Sequence, residues 1–410
     1  MKKRRMLSVL ALLLVFALTF SSCALMQGGN DDDTGPIRIG LLHEGSGPFQ
    51  TWGLQEYRGF MVGLMYATNG TMEINGRPIE VIVEDTTGDV GVAMQRATAL
   101  LEDHNVHVLA GSNLSSIALA VMHRAEEVGT PYVISGAAAD EITGANWNQY
   151  TFRIGRNLWM ASQAGLGFLE HVGGGIAGTT WVIISPDFAG GRSGSEALQN
   201  TIVQMGGEVL ELIFPPMDAM DFTPHILRII EMQPDFITAT LVGNNYIVIL
   251  PQQLQDMGAL EHSMLTTSLV DFDFLATVGQ AGIGMTGETI YHYNLFDTPA
   301  NRFLIEKHQE MFNGDMPDYW SGQSFAGAQA IVEALRIAGT TDPYDFIDAM
   351  RGLEFYSVKG RMIIRPEDHQ ALQGMAIGTI VDDGAGGVTI ELAAFMPLED
   401  LIPPITVPNR

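Results

Sequence analysis

Three short runs of glycine, hydroxyl and aromatic residues mark where this 410-residue chain could do chemistry. They are Glu44-Gly45-Ser46-Gly47-Pro48-Phe49-Gln50-Thr51-Trp52-Gly53, Gly111-Ser112-Asn113-Leu114-Ser115-Ser116, and Gly136-Ala137-Ala138-Ala139-Asp140. The chemistry they suit is reversible binding. Free amides at a helix N-terminus attract anions, and loop hydroxyls and rings orient an organic body.

Motifs for covalent or nucleotide chemistry fail on context. Gly173, Gly175 and Gly178 have the spacing of a dinucleotide fingerprint. A helix is expected to end near His171 and a strand to begin at Thr180, whereas the fingerprint needs a strand first and a helix after it. Gly322-Gln323-Ser324-Phe325-Ala326 comes within one residue of a nucleophile elbow but lies in a helix-rich stretch with no preceding strand. His104 and His107 straddle a helix end and a strand start, so their rings need not converge on a metal. No Walker loop and no nucleophile with a positioned base occur, so neither an enzyme nor a cofactor is expected.

The elements that must position the three loops alternate. Ile37 to Leu42, Ile79 to Val83, Val106 to Ala110 and Tyr132 to Ser135 read as strands. Between them, helical stripes carry Leu54, Tyr57, Met61 and Leu64, then Val90, Ala93, Met94, Ala97 and Leu101, and a further helix is expected over 115–128. The alternation restarts with strands at Trp181 to Ile184, Val209 to Phe214 and Phe236 to Leu241, separated by helices near 195–205 and 224–232. Strands that are apolar throughout and joined by helices imply α/β units with parallel sheets. Helices then dominate from Pro299 to Leu353 and are expected to pack back onto one of the sheets, and Val388 to Phe395 alternates like a strand with one exposed face. In such sheets ligands bind outside the carboxyl ends of the strands, where all three loops lie.

Charge narrows the partners. The 47 acidic residues outnumber the 21 basic ones, for a net charge of -26, which repels nucleic acid. The one basic cluster, Lys2-Lys3-Arg4-Arg5, precedes an apolar run from Met6 to Phe20 and then Ser21-Ser22-Cys23, the layout of an export signal over residues 1–22. Cys23 is the only cysteine, which rules out a disulfide within the chain. Its position resembles the lipobox of bacterial lipoproteins, with Phe20 in place of the usual aliphatic residue. That resemblance implies a lipidated Cys23 on an exported protein facing the periplasm or cell exterior, with residues 23–35 as a flexible tether.

Taken together, the loops resemble the type I periplasmic solute-binding proteins of ABC transporters, in particular the branched-chain amino acid (Leu/Ile/Val) binding family. The resemblance covers nearly all of the mature chain. Its carriers are Ser46-Gly47-Pro48 with Trp52-Gly53, Glu56-Tyr57-Arg58-Gly59, Ser115-Ser116, Gly129-Thr130-Pro131 and Asp187-Phe188-Ala189-Gly190. It implies two Rossmann-like α/β lobes joined by a three-segment hinge, lobe one over 36–154 plus 293–365 and lobe two over 155–292 plus 366–410.

The resemblance also implies roles. Trp52 is the aromatic wall beside the ligand side chain, although a loop aromatic can also simply cap a core. Ser115 or Ser116 holds the ligand carboxylate, Ala137 contributes its backbone carbonyl, and Phe188 closes over the ligand from lobe two. Two positions depart from the amino-acid binders: Ala139 stands where they carry Thr, and Ser268 where they carry the carboxylate that meets the ammonium group. Asp140 or Asp271 would have to supply that charge, with Asn244 and Asn245 as further polar candidates. The expected function is a solute-binding lipoprotein that captures a small polar ligand, an amino acid of the branched-chain type, and delivers it to a membrane permease. The alternative is a sensor of the same fold that signals to a receptor without transport.

Overall fold

The computed structural model describes residues 35–172, 175–241, 245–267 and 272–408. The first half forms β1 (Ile37–His43), α1 (Gln50–Ala67), β2 (Glu73–Ile74), β3 (Arg77–Asp85), α2 (Val90–Thr98), β4 (Val108–Gly111), α3 (Ser115–Val128), β5 (Tyr132–Ile134) and β6 (Thr151–Arg153). Their sheet has the order β2-β3-β1-β4-β5-β6 and is parallel except for the β2 edge. Ile39 lies opposite Val81 on one side and Val108 on the other, so β1 is the strand at which the winding direction reverses. A crevice opens at such a reversal.

The second half repeats the scheme with α4 (Leu158–Val172), β7 (Thr180–Ile184), α5 (Ala189–Gln204), β8 (Glu208–Ile213), α6 (Thr223–Met232), β9 (Phe236–Ala239), α7 (Leu250–Asp256), β10 (Met264–Thr266) and α8 (Phe272–Val278). Its parallel sheet runs β10-β9-β7-β8, with the reversal at β7. The chain continues through β11 (Thr286–Thr289), α9 (Pro299–Met311), α10 (Tyr319–Ala338), α11 (Pro343–Met350), β12 (Glu354–Ser357), β13 (Gly360–Ile364), β14 (Ala371–Gln373), β15 (Met375–Asp382) and β16 (Val388–Met396).

Two cores result. Ile39, Leu41, Val108 and Phe152 pack with Phe60, Leu64, Ile331 and Leu335, while Val182, Ile184 and Ile237 pack with Ile226, Phe274, Ala376 and Ile390. The late helices return to the first sheet, as the sequence suggests. A Cβ on Gly59 of α1 would stand 2.1 Å from the Ser321 carbonyl oxygen of α10, and one on Gly63 would stand 2.6 Å from that of Phe325. Glycine therefore sets how closely these two helices approach.

Several sequence expectations shift at their edges. β4 starts at Val108 rather than Val106, β9 stops at Ala239, and α5 starts at Ala189 rather than near 195. The Gly322–Ala326 stretch lies inside α10, and α4 and β7 flank the glycine turn, so neither motif has the setting its chemistry needs. His107 Nδ1 accepts the Arg38 amide at 2.9 Å, a structural task. The sequence does not signal β2, β6 or β10, and of the two small antiparallel sheets, β11-β15-β16 and β12-β13-β14, it marks only β16, by the alternation from Val388 to Phe395.

Candidate functional site

The carboxyl ends of both parallel sheets open on one cavity of about 560 Å³. Trp52, Ser115 and Trp320 line it from the first half, and Phe188, Thr240 and Thr267 from the second.

The aromatic wall is built across the chain. Trp52 stacks on Trp320 with centroids 4.7 Å apart and planes at 28°, and Phe49 sits 5.1 Å from Trp52. Asp318 caps α10 by accepting the amides of Trp320 at 3.0 Å and Ser321 at 3.2 Å, which fixes the Trp320 backbone. Gly136 is confined on two sides, because a Cβ there would lie 2.1 Å from Asn113 Oδ1 and 2.9 Å from the Trp320 ring. Trp320 Nε1 is buried with no acceptor, so a bound molecule that offers an oxygen would satisfy it.

The start of α3 gives the cavity an edge suited to an anion. Leu114 occupies its N-cap and gives no side-chain cap, leaving the amides of Ser115 and Ser116 open while that of Ile117 donates to the Leu114 carbonyl at 3.1 Å. Ser115 Oγ accepts the amides of Ala138 at 3.3 Å and Ala139 at 3.2 Å, so its hydroxyl hydrogen is left to donate into the cavity. Ser116 is exposed and does not line the cavity. Of the two serines, Ser115 is the one that lines the cavity.

The remaining candidates divide. Ala137 is buried behind the wall and Ala138 lines it, while the Ala139 carbonyl accepts from Arg153. Phe188 reaches the cavity from the second half with 37% of its surface exposed. Asp140 is elsewhere: its Oδ1 accepts the amides of Leu158 at 3.1 Å and Trp159 at 3.3 Å, capping α4 beside a separate pocket of about 260 Å³. Burial raises its pKa against the opposing pull of Arg153. Asn245 holds a loop by donating to the carbonyls of Met217 at 2.8 Å and Ala219 at 2.9 Å. Asn244, Ser268, Asp271 and Cys23 lie outside the described residues.

Behind the wall lies a pair of acids. Glu44 and Glu56 are both fully buried, and Asn113 Nδ2 donates to one oxygen of each, at 3.1 and 3.0 Å. Their other oxygens, both Oε1, have no partner. Burial pushes Glu44 up to about 7, and burial together with the neighbouring Glu44 pushes Glu56 well above the usual carboxylate range. Burial thus favours the protonated form of both acids, and the pair braces Asn113 at the cavity.

Sequence reasoning missed Trp320, Arg156 and Glu288, all of which line the cavity. Arg156 and Glu288 are the two described charged residues there. No local pattern betrays them, since each comes from a segment remote from the three loops.

A family model described as periplasmic binding protein matches residues 36–385, and the chain belongs to that family, with the two-lobe type I architecture. It is 23% identical over 358 residues to the Leu/Ile/Val-binding protein homolog 6 of Brucella suis biovar 1 (strain 1330), a match covering 85% of this chain and 89% of the relative. A crystal structure of an ABC-type branched-chain amino acid transporter protein from Rhodopseudomonas palustris CGA009 superposes with a TM-score of 0.81 at 30% identity, covering 91% of this chain and 100% of that one. A solute-binding protein from Rhodopseudomonas palustris BisB5, crystallised with 3,4-dihydroxy benzoic acid, shares the fold with a TM-score of 0.77 at 22% identity, covering 88% of this chain and 98% of that one. The chain is thus an ABC-type substrate-binding protein, of a family that is non-enzymatic and works outside the cytoplasm. Among the described residues no helix is long and apolar enough to cross a membrane.

Proposed function

We propose that this protein is the extracytoplasmic solute-binding lipoprotein of an ABC importer, anchored through Cys23, and that it captures a small carboxylate-bearing solute, an amino acid, between its lobes. The observation that carries this reading is the uncapped start of α3, with the Ser115 hydroxyl, facing an aromatic wall inside a cavity lined from both parallel sheets. In this reading the α3 amides and Ser115 hold the carboxylate, Trp52, Trp320 and Phe188 enclose the body, and Glu288 meets the ammonium group in place of Asp140, which faces the smaller pocket. A branched-chain side chain has the apolar wall and the names of the relatives in its favour. The second reading is an aromatic monocarboxylate, favoured by the stacked Trp52–Trp320 pair.

The lobe division implied by the resemblance belongs to the same proposal, with β14 counted with lobe one because it pairs with β13 and Ala371 sits in that core. Contacts to both lobes would favour a closed form that the permease reads, shifting an existing equilibrium between open and closed forms. The test is a thermal-shift screen of the full-length chain in detergent against amino acids and aromatic acids. A ligand at about 100 times its Kd should add roughly 2.7 kcal/mol of apparent stability. Failure of every small carboxylate would sink the reading.

A further inference from the structure

Arg156 stands apart from every other described arginine. Each of the others makes a hydrogen bond or an ion pair. That is the expected state in a chain with 47 acidic and 21 basic residues. Arg156 lines the cavity without such a partner among the described residues. The fully buried Arg153 beside it carries the same charge and repels it.

Lys359, in the turn between β12 and β13, is a second unpartnered basic group, and burial holds its pKa well below the ordinary lysine value. It is 5% exposed and its Nζ has no hydrogen-bond partner. A third sign lies close by at Gly155, the residue before Arg156. A Cβ at Gly155 would stand 2.5 Å from Gln323 Oε1, and both polar atoms of that buried Gln323 amide lack partners. A half-buried guanidinium without a counter-charge beside an unsatisfied buried amide is costly to keep unless a bound group completes it.

We propose that the cavity takes a solute with two carboxylates, one held at the start of α3 by Ser115 and the other by the Arg156 guanidinium. The planar fork of arginine matches a carboxylate with two parallel hydrogen bonds. A local cation is needed because the net charge of -26 opposes the approach of any dianion. The class is a small dicarboxylic acid, including acidic amino acids, whose ammonium group would face Glu288. The inference rests on the solute-binding reading above and replaces its branched-chain side chain with an anionic one.

The test uses two ligand pairs that differ by one negative charge, terephthalate with benzoate and L-glutamate with L-glutamine, titrated calorimetrically into the full-length chain in detergent. Wild type should prefer the dicarboxylate about tenfold or more in at least one pair, the scale of a charged hydrogen bond. Arg156→Gln should bring that ratio close to one, and Arg156→Lys should restore part of it. Equal affinity within both pairs overturns the proposal, as does an Arg156→Gln variant that weakens both members of a pair alike. If none of the four binds but L-leucine does, the second carboxylate is wrong while solute binding stands. If L-leucine fails as well, both readings fall.

Discussion

Trp52 and Trp320 stack at 4.7 Å although one opens α1 and the other opens α10. The contact ties the loop after β1 to a helix from the far end of the chain and makes a flat apolar surface inside the cavity. Trp52→Ala should therefore weaken binding of any ligand found by the screen by roughly 0.5–1.5 kcal/mol beyond the lost contact area. Tryptophan fluorescence should respond to that ligand in wild type and respond less in the variant. An unchanged affinity would remove Trp52 from the ligand wall.

The two serines can be separated. Ser115→Ala should cost about 1.5–3 kcal/mol of binding to a carboxylate, and Ser116→Ala should cost almost nothing. Ser115→Ala also strips an acceptor from the amides of Ala138 and Ala139, so its unfolding midpoint should fall as well. Calorimetric Kd values with denaturation curves for both variants decide the point, and the reverse ranking would count against the placement of the anion.

The buried acids predict a pH dependence of definite sign. Glu44 and Glu56 hold protons in the folded chain at pH values where the unfolded chain has released them, because both folded values lie above 4.5. Their contribution is fully present below about pH 4.5 and is lost as the pH rises through about 7 and beyond. Glu56→Gln keeps the shape without the ionisation, so relative to wild type it should gain stability between pH 5 and pH 8, on the order of 1 kcal/mol or more. His292 and His369, each lowered to about 4 by burial, titrate in both proteins and cancel in the comparison. Urea midpoints that run parallel from pH 5 to pH 8 would refute the assignment.

Asp140 and Cys23 give two further contrasts. Asp140→Asn should destabilise the chain modestly, by weakening the cap of α4, while leaving ligand preference unchanged, since Asp140 faces the smaller pocket. A changed preference between an amino acid and its deaminated analogue would return it to the site. Cys23→Ala should release the protein from the membrane fraction with its ligand affinity intact, and membrane retention of the variant would argue against a lipid anchor.

Strands β2 and β10 at the sheet edges escaped notice, whereas runs such as Tyr132–Ile134 and Trp181–Ile184 were legible because both their faces are covered and they are apolar without interruption. β6 was not, since it has three residues and one of them is Arg153, whose guanidinium is satisfied by Gln370, Thr143 and the Ala139 carbonyl. The three ligand loops could be read because each is continuous in sequence. Trp320, Arg156 and Glu288 could not, because only the fold brings them to the cavity. Asp140 misled for a related reason. A carboxylate in a strand-end loop looks like a ligand contact, and nothing local shows that it caps a helix beginning 18 residues later.

The central claim is that one solute is held from both lobes, and affinity measured on the second-lobe wall tests it most directly. For a solute whose binding Ser115→Ala weakens, the Kd should also rise in Phe188→Ala and Thr240→Val, since both residues line the same cavity from the other sheet. A solute that depends on Ser115 yet binds both of these variants as tightly as wild type would sit on one lobe alone, contradicting capture between the two.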